Sequence, residues 1–229
     1  MLDSIVALIS LIALEVILGI DNIIFISILA DKLPEEQRNK LRIWGLTLAM
    51  LIRLALLGIL SWILKLDTVL FTLFNIGFSG KSIILLLGGL FLLYKSTKEI
   101  IHKTESGLED EKIKTKTGNF KKLLSEIIIL DLVFSIDSII TAVGMVQELW
   151  IMYTAVIIAV TIMLFASKPI STFIQKHPSF KILAICFLMM IGISLIAEGL
   201  HFKIPKGYIY FSMAFAFLVD FVQLKKLKK

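Results

Sequence analysis

The chain has 229 residues, of which 58% are hydrophobic and 18% charged, and its mean hydropathy is +0.92. A soluble domain of this length carries fewer apolar and more charged residues, so the composition predicts an all-α, polytopic membrane protein. The net charge of +6 does not indicate nucleic-acid binding, because the basic residues lie between apolar stretches in a chain that spans the lipid bilayer. Cys186 is the only cysteine, which excludes an internal disulfide and a thiolate metal site.

About 20 apolar residues are needed to cross a membrane as a helix. Seven segments approach that length, at residues 4–29, 43–64, 81–96, 123–146, 150–167, 180–199 and 207–224. The stretch Leu66–Gly80 is also apolar, but Asp67, Asn75 and Gly77 interrupt it. We interpret this stretch as interfacial or re-entrant.

Lys and Arg are distributed unequally between the two sides of these spans. The C-terminal tail and the loops on its side, which follow spans one, three and five, carry 19 of them. The loops on the opposite side, which follow spans two, four and six, carry 4, and Arg53 lies within the second span. Cytosolic connections are the ones enriched in Lys and Arg. We therefore expect the N-terminus outside and the C-terminus inside, with the polar segment 96–122 as a cytosolic linker.

One motif occurs twice, 116 positions apart. Glu15-Val-Ile-Leu-Gly-Ile-Asp-Asn-Ile-Ile24 returns as Asp131-Leu-Val-Phe-Ser-Ile-Asp-Ser-Ile-Ile140. Repeats of three spans face opposite ways, so the chain divides into residues 1–95 and 123–199 as an inverted 3+3 repeat. The linker 96–122 separates them, and residues 200–229 add a seventh span and a basic tail. Inverted repeats are common in transporters, whose binding site lies near the bilayer midplane.

The motif places polar groups on one face of each helix, because residues i, i+4 and i+7 share a face. Glu15, Gly19 and Asn22 share a face of span one, and Asp131, Ser135 and Ser138 share a face of span four. The small residues Gly19 and Ser135 predict a close approach of these two helices. An antiparallel crossing makes Glu15 the expected neighbour of Asp137, and Asp21 that of Asp131.

Asp21 and Asp137 lie about 100° around their helices from Asn22 and Ser138. They join the same site only if the helix is locally unwound, or if the site extends over both faces. Carboxylate, amide and hydroxyl oxygens suit Mn²⁺, Mg²⁺ or Ca²⁺. Since no His or Cys lies near the motifs, Zn²⁺ and Cu²⁺ are disfavoured. The candidate metal ligands are Glu15, Asp21, Asn22, Asp131, Asp137 and Ser138.

Two questions stay open at this point. The polar groups either bind metal or only join helices through hydrogen bonds; four intramembrane acids in a repeated pattern favour metal, because each acid is costly in the bilayer. Arg53, the remaining deep charge, is either a counter-charge that neutralises one acid, or a resident cation that occupies the carboxylates when metal is absent.

At these motifs the sequence resembles the TerC family of integral membrane proteins, and in particular its short, YgdQ-type members. The resemblance extends over nearly the whole chain, including Leu87-Gly-Gly-Leu-Phe91 and Pro205-Lys-Gly-Tyr-Ile-Tyr210. It implies a multi-span protein of metal-ion handling, with manganese efflux as the best-supported role. It also implies that Glu15, Asp21, Asp131 and Asp137 are metal ligands. Many relatives have proline after the Asp-Ser pair, whereas this chain has isoleucines, which argues against a helix break there.

We therefore expect a secondary exporter of a divalent cation, Mn²⁺ first and Ca²⁺ or Mg²⁺ as alternatives, in a bacterial inner membrane. Proton exchange is the expected energy source, because the sequence has no nucleotide-binding motif. The second hypothesis is a membrane partner of secretion or insertion machinery that supplies metal to exported proteins, with 96–122 as its docking segment. An enzyme is not expected, since no Ser-His or Cys-His pair lies at membrane depth. The sequence leaves the oligomeric state open, a homo-oligomer included.

Overall fold

A computed structural model describes residues 2–73, 76–105, 118–146, 148–202 and 204–227. Within these ranges the chain forms seven long helices and a short one, which confirms the all-α, polytopic class. In chain order they are α1 (Leu2–Ala30), α2 (Glu35–Gly58), α3 (Leu60–Ile63), α4 (Gly80–Glu105), α5 (Phe120–Met145), α6 (Leu149–Lys176), α7 (Pro178–Gly199) and α8 (Lys206–Leu227).

Five of the described helices are long and apolar enough to cross a membrane, namely α1, α2, α5, α6 and α7. They coincide with five of the seven predicted spans. The predicted third and seventh spans are the helices α4 and α8, which are not among the five. Charged residues flank their apolar stretches at 82–94 and 207–219 and lower the mean hydropathy of each helix.

Helices α2 and α5, which carry Arg53 and Asp131, each begin at a recognisable sequence signal. Pro34 precedes α2, and the negative charges of Glu35 and Glu36 in its first turn stabilise the positive end of the helix dipole. Asn119 caps α5, because its side-chain oxygen accepts hydrogen bonds from the backbone N–H groups of Lys121 and Lys122.

The stretch predicted as interfacial or re-entrant contains a two-stranded antiparallel sheet. Strand β1 (Val69–Leu73) pairs with β2 (Ile76–Ser79), with Phe71 opposite Phe78 and their rings stacked at 5.3 Å. Two strands leave open backbone edges, and such edges do not occur in contact with lipid tails. The hairpin therefore favours the interfacial interpretation.

The helices form two compact units, and neither is one of the predicted repeats. One unit contains α1, α2, α5 and α6 up to Phe173; the other contains the hairpin, α4, α7 and α8. The first unit thus holds spans one and two of both repeats, and the second holds span three of both. Each unit therefore contains helices from both predicted segments, 1–95 and 123–199, and the division into repeats stays a prediction.

Two glycines explain the close packing of α4 on α7 within the second unit. A Cβ atom on Gly89 would lie 2.6 Å from the carbonyl oxygen of Gly192, and one on Gly192 would lie 3.0 Å from that of Gly89. The two backbones therefore touch at this crossing, as small residues allow in membrane helices.

The predicted linker begins later than expected. Helix α4 continues to Glu105, nine residues beyond the predicted end of span three, because Ser96–Glu105 keeps a helix-compatible pattern without Pro or Gly. Helix α5 begins at Phe120. The rest of the predicted linker, residues 106–117, lies outside the described residues.

Candidate functional site

Arg53 is the centre of a buried polar cluster in the first unit. Its guanidinium donates from Nη1 to Glu15 Oε2 at 2.7 Å, from Nη2 to Asp131 Oδ1 at 3.1 Å, and from Nε to Ser135 Oγ at 3.1 Å. The three helices α1, α2 and α5 thus meet at one side chain. Arg53 is 2% exposed, so these bonds form away from solvent.

Asp131 accepts hydrogen bonds from three other residues of the cluster. Its Oδ1 also accepts a hydrogen bond from Asn22 Nδ2 at 3.1 Å, and its Oδ2 accepts one from Ser135 Oγ at 3.1 Å. With the bond from Arg53, this carboxylate accepts three hydrogen bonds. Glu15, Asn22, Arg53, Asp131 and Ser135 are called the Arg53 cluster below, and all five are buried.

The predicted helix faces are confirmed for this cluster. Glu15 and Asn22, seven positions apart on α1, both enter the cluster, Glu15 through Arg53 and Asn22 through Asp131, and Asp131 and Ser135 share a face of α5. The expected pairs of Glu15 with Asp137 and of Asp21 with Asp131 stay predictions, and the described contacts add two others. Glu15 is joined to Asp131 through Arg53, and Asn22 donates directly to Asp131. The expectation treated α1 and α5 as a two-helix crossing, whereas α2 inserts its guanidinium between the acids.

Gly19 does not provide close approach to α5. A Cβ atom at this position would collide with the side-chain sulfur of Met163, which belongs to α6. The glycine therefore accommodates α6 against α1. Ser135, the other predicted small residue, contributes its hydroxyl to the cluster instead.

The three remaining candidate ligands are also buried on α1 and α5. Asp21, Asp137 and Ser138 are 5%, 3% and 3% exposed. The Ser138 hydroxyl donates to the backbone carbonyl of Ser135. Because α1 and α5 are helical throughout the motif, Asp21 and Asp137 keep the 100° rotation away from Asn22 and Ser138. Among the residues described, no group of three or more His, Cys, Asp or Glu side chains is placed to hold a metal ion.

A small cavity borders the cluster. Its volume is about 10 Å³, close to what one water molecule needs. Asn22 and Asp131 form its polar end, and the rest of its lining is apolar and comes from α1, α2 and α5: Phe25, Ile26, Leu46, Ala49, Ile127 and Leu130. The cavity therefore gives a water-sized group contact with the Asp131 carboxylate.

Two residues of this unit, Ser135 and Arg42, form buried side-chain hydrogen bonds that were not predicted from the sequence. Ser135 was placed on the face of Asp131, but only its small size was used, and its hydroxyl was not among the candidate ligands. Arg42 is also buried, and it donates to Ser171 Oγ of α6 at 2.7 Å and to Asn39 Oδ1 at 3.2 Å. Eleven residues separate it from Arg53, which is close to three helical turns. The spacing in the sequence therefore places both arginines on one face of α2.

The chain matches the integral membrane protein TerC family over residues 2–227, which is nearly its whole length. The chain belongs to the TerC family. A UPF0053 protein of Haemophilus influenzae is 52% identical over 96% of this chain and 93% of its own length. The UPF0053 inner membrane protein YgdQ of Escherichia coli is 48% identical over 97% of this chain and 93% of its own length.

Other TerC relatives are longer. The UPF0053 inner membrane protein YoaE of Escherichia coli is 47% identical over 93% of this chain, which spans only 41% of that relative. No solved structure matches the chain. As a TerC family member with five helices able to cross a bilayer, the chain is an integral membrane protein.

Proposed function

We propose that this TerC protein exports a divalent cation, Mn²⁺ before Ca²⁺ or Mg²⁺, by a secondary mechanism coupled to protons. One observation supports this proposal most strongly: a single buried guanidinium is bonded to two acids that occupy equivalent positions of the two repeats. In inverted-repeat transporters, the site formed by equivalent positions is where the cargo binds.

The charges of the cluster suit a divalent cation. Glu15 and Asp131, when ionised, carry two negative charges, and Arg53 balances one of them. Burying a carboxylate at membrane depth is costly unless a cation compensates it. A divalent cation that replaces the guanidinium balances both charges, so Arg53 acts as the resident cation that stabilises the acids between transport events.

The ligands are of the type that Mn²⁺ accepts. Glu15 and Asp131 offer carboxylate oxygens, and Asn22 offers an amide oxygen once its hydrogen bond to Asp131 is broken. Asp21, Asp137 and Ser138 are buried on adjacent faces of the same two helices. They complete the coordination or receive the ion next if α1 and α5 rotate or unwind locally during transport.

Protons are the proposed counter-ion, since a carboxylate that releases a metal ion in the membrane is neutralised most simply by protonation. On the orientation expected from the Lys and Arg distribution, the metal enters from the cytosol and protons enter from outside. The direction of transport is then export.

The test is Mn²⁺ uptake into inverted membrane vesicles, followed with an internal metal indicator. Glu15→Gln and Asp131→Asn each remove one charge and keep the side-chain size, and we expect uptake to fall to background in both. Glu148→Gln is the matched control, because Glu148 is exposed next to α6, and it should transport normally. Wild-type uptake by both cluster variants, at matched amounts of folded protein, would reject the proposal.

A further inference from the structure

The cavity beside Asp131 lies on one particular side of the Arg53 cluster. On α1 its lining residues Phe25 and Ile26 follow Asn22, towards the C-terminal end of the helix. On α2 the lining residues Leu46 and Ala49 precede Arg53, towards the N-terminal end. All four therefore lie nearer to the connection between α1 and α2 than the cluster does.

Helix α5 follows the same rule. Its lining residues Ile127 and Leu130 precede Asp131, towards the N-terminal end of the helix. That end lies at the same connection, because the backbone N–H of Gly118 donates to the carbonyl oxygen of Lys32 at 3.2 Å. A Cβ atom on Gly118 would lie 2.7 Å from that oxygen, so glycine permits this approach. The three helix ends meet at the loop between α1 and α2.

About three helical turns of α5 separate this loop from the Arg53 cluster. Asp131 lies 11 residues after Phe120, or roughly 16 Å along the axis of α5 at 1.5 Å per residue. At the wall of the cavity nearest this loop, α2 packs closely on its neighbours at Gly45. A Cβ atom there would lie 3.3 Å from Ile127 and 3.6 Å from Ile26. Gly45, Ile26 and Ile127 thus form an apolar closure at this end.

We propose that this cavity is the access route to the Arg53 cluster, and that it opens towards the loop between α1 and α2. The inference rests on the proposed function, to which it adds the side of entry and the residues at the entrance. A divalent cation passes the closure at Gly45, Ile26 and Ile127, and it meets Asn22 and the Asp131 carboxylate before it meets Glu15. The hydrogen bond from Asn22 to Asp131 is the last contact that closes the route. Arg53, on the far side of Asp131, is displaced only after the cation has reached that carboxylate.

Small residues on α2 are consistent with an opening at this place. Gly45 and Ala49 lie four residues apart, on the face that borders α1 and α5. Neither has a long side chain to move, so a modest displacement of Ile26 and Ile127 widens the passage. The loop side is the cytosolic side on the expected orientation, and an exporter loads its cargo there.

The route is tested by cysteine labelling in a Cys186→Ser background. Ala49→Cys places a thiol on the cavity wall, and Leu46→Cys is a second position on the same wall. Ala159→Cys is the matched control, because Ala159 is equally buried on α6 but does not line the cavity. Glu36→Cys, exposed at the start of α2, reports the loop side. The reagent is the permanently charged cation 2-(trimethylammonium)ethyl methanethiosulfonate, which does not cross the bilayer, added to one side of sealed vesicles at a time.

We expect Ala49→Cys and Leu46→Cys to react from the same side as Glu36→Cys, and about tenfold faster than Ala159→Cys, because thiol reactivity follows access to the reagent. Reaction only from the opposite side, or no reaction in variants that still take up Mn²⁺, would overturn the route and leave the proposed function standing. Reaction from the loop side that Mn²⁺ does not slow would support the route and count against the proposed function. Reaction from the loop side that Mn²⁺ slows supports both.

Discussion

Glu15 and Asp131, which lie 116 positions apart at the same place in the two repeats, bind the two terminal nitrogens of one buried guanidinium. The pair shows that the two copies of the motif come together in three dimensions at their first acids. The cation between them is Arg53 of α2, which belongs to the first predicted repeat, so the first repeat contributes a charge to the cluster that the second does not. This asymmetry is what we expect of a site where one cation is exchanged for another.

The packing of α4 on α7 leads to the first prediction. Gly89→Ala places a methyl group 2.6 Å from a backbone oxygen that has little freedom to move, and overpacking of this kind costs roughly 1–3 kcal/mol of unfolding free energy. We expect a lower melting temperature in detergent. Gly144→Ala is the control, because a Cβ atom at Gly144 has no neighbour within 4 Å, and it should leave the melting temperature unchanged. Equal melting temperatures for the two variants would show that the helices are not in backbone contact.

The distribution of Lys and Arg leads to a second prediction, about orientation. Cysteines at Thr115 and Lys228, in a Cys186→Ser background, should resist an impermeant thiol reagent added to intact cells and react after the cells are opened. Both positions lie in segments rich in Lys, and such segments are typical of the cytosolic side. Labelling of either position from outside would reverse the orientation, and with it the direction of transport.

Ligand chemistry leads to a third prediction. Oxygen ligands without His or Cys bind Mn²⁺, Ca²⁺ or Mg²⁺ in preference to softer metals. A metal that binds the folded protein raises its melting temperature by mass action. We expect Mn²⁺ to protect the purified protein at lower concentration than Zn²⁺ does. Protection by Zn²⁺ alone would mean that the carboxylates of the two motifs are not the binding site.

The local part of the site was predictable from sequence, because helix periodicity depends only on spacing. The faces of Glu15 with Asn22 and of Asp131 with Ser135 follow from the helical repeat, and the structure confirms them. An ion pair of Arg53 was also predicted, although with one acid rather than two. Each of these features is fixed by neighbours along the same helix or by the charge balance of the membrane.

The features that sequence did not predict depend on which helices meet. Spacing does not say that Gly19 faces Met163 of α6, or that α2 inserts Arg53 between the acids of α1 and α5. It does not say that spans one and two of both repeats form one unit. The hairpin was missed for a different reason: its two strands are too short for a clear alternating pattern, and the apolar run reads equally well as an interfacial segment.

Asp21 and Asp137 are the subject of the fourth prediction. They are buried on the same helices as the cluster, and the proposed path of the ion includes them. We expect Asp21→Asn and Asp137→Asn each to abolish metal efflux from cells while the variants remain folded and inserted, because both keep side-chain size and remove a charge that is costly in the membrane. Groups that only join helices tolerate this change, since asparagine still forms hydrogen bonds. Normal efflux in both variants would restrict the site to the Arg53 cluster.

The central claim is that Arg53 holds the place of the transported cation, and Mn²⁺ binding to Arg53→Gln tests it most directly. Glutamine keeps hydrogen-bonding groups near Ser135 but removes the competing charge. Arg42→Gln is the matched control, because Arg42 is a buried arginine of the same helix that bonds Ser171 and Asn39 instead of the cluster acids.

The measurement is the Mn²⁺ concentration that gives half-maximal protection against heat. We predict that it falls about tenfold in Arg53→Gln, corresponding to roughly 1.4 kcal/mol, and stays unchanged in Arg42→Gln, while uptake by Arg53→Gln vesicles is lost. An unchanged or higher Mn²⁺ requirement in Arg53→Gln would contradict the account, because Arg53 would then be a fixed structural partner of Glu15 and Asp131.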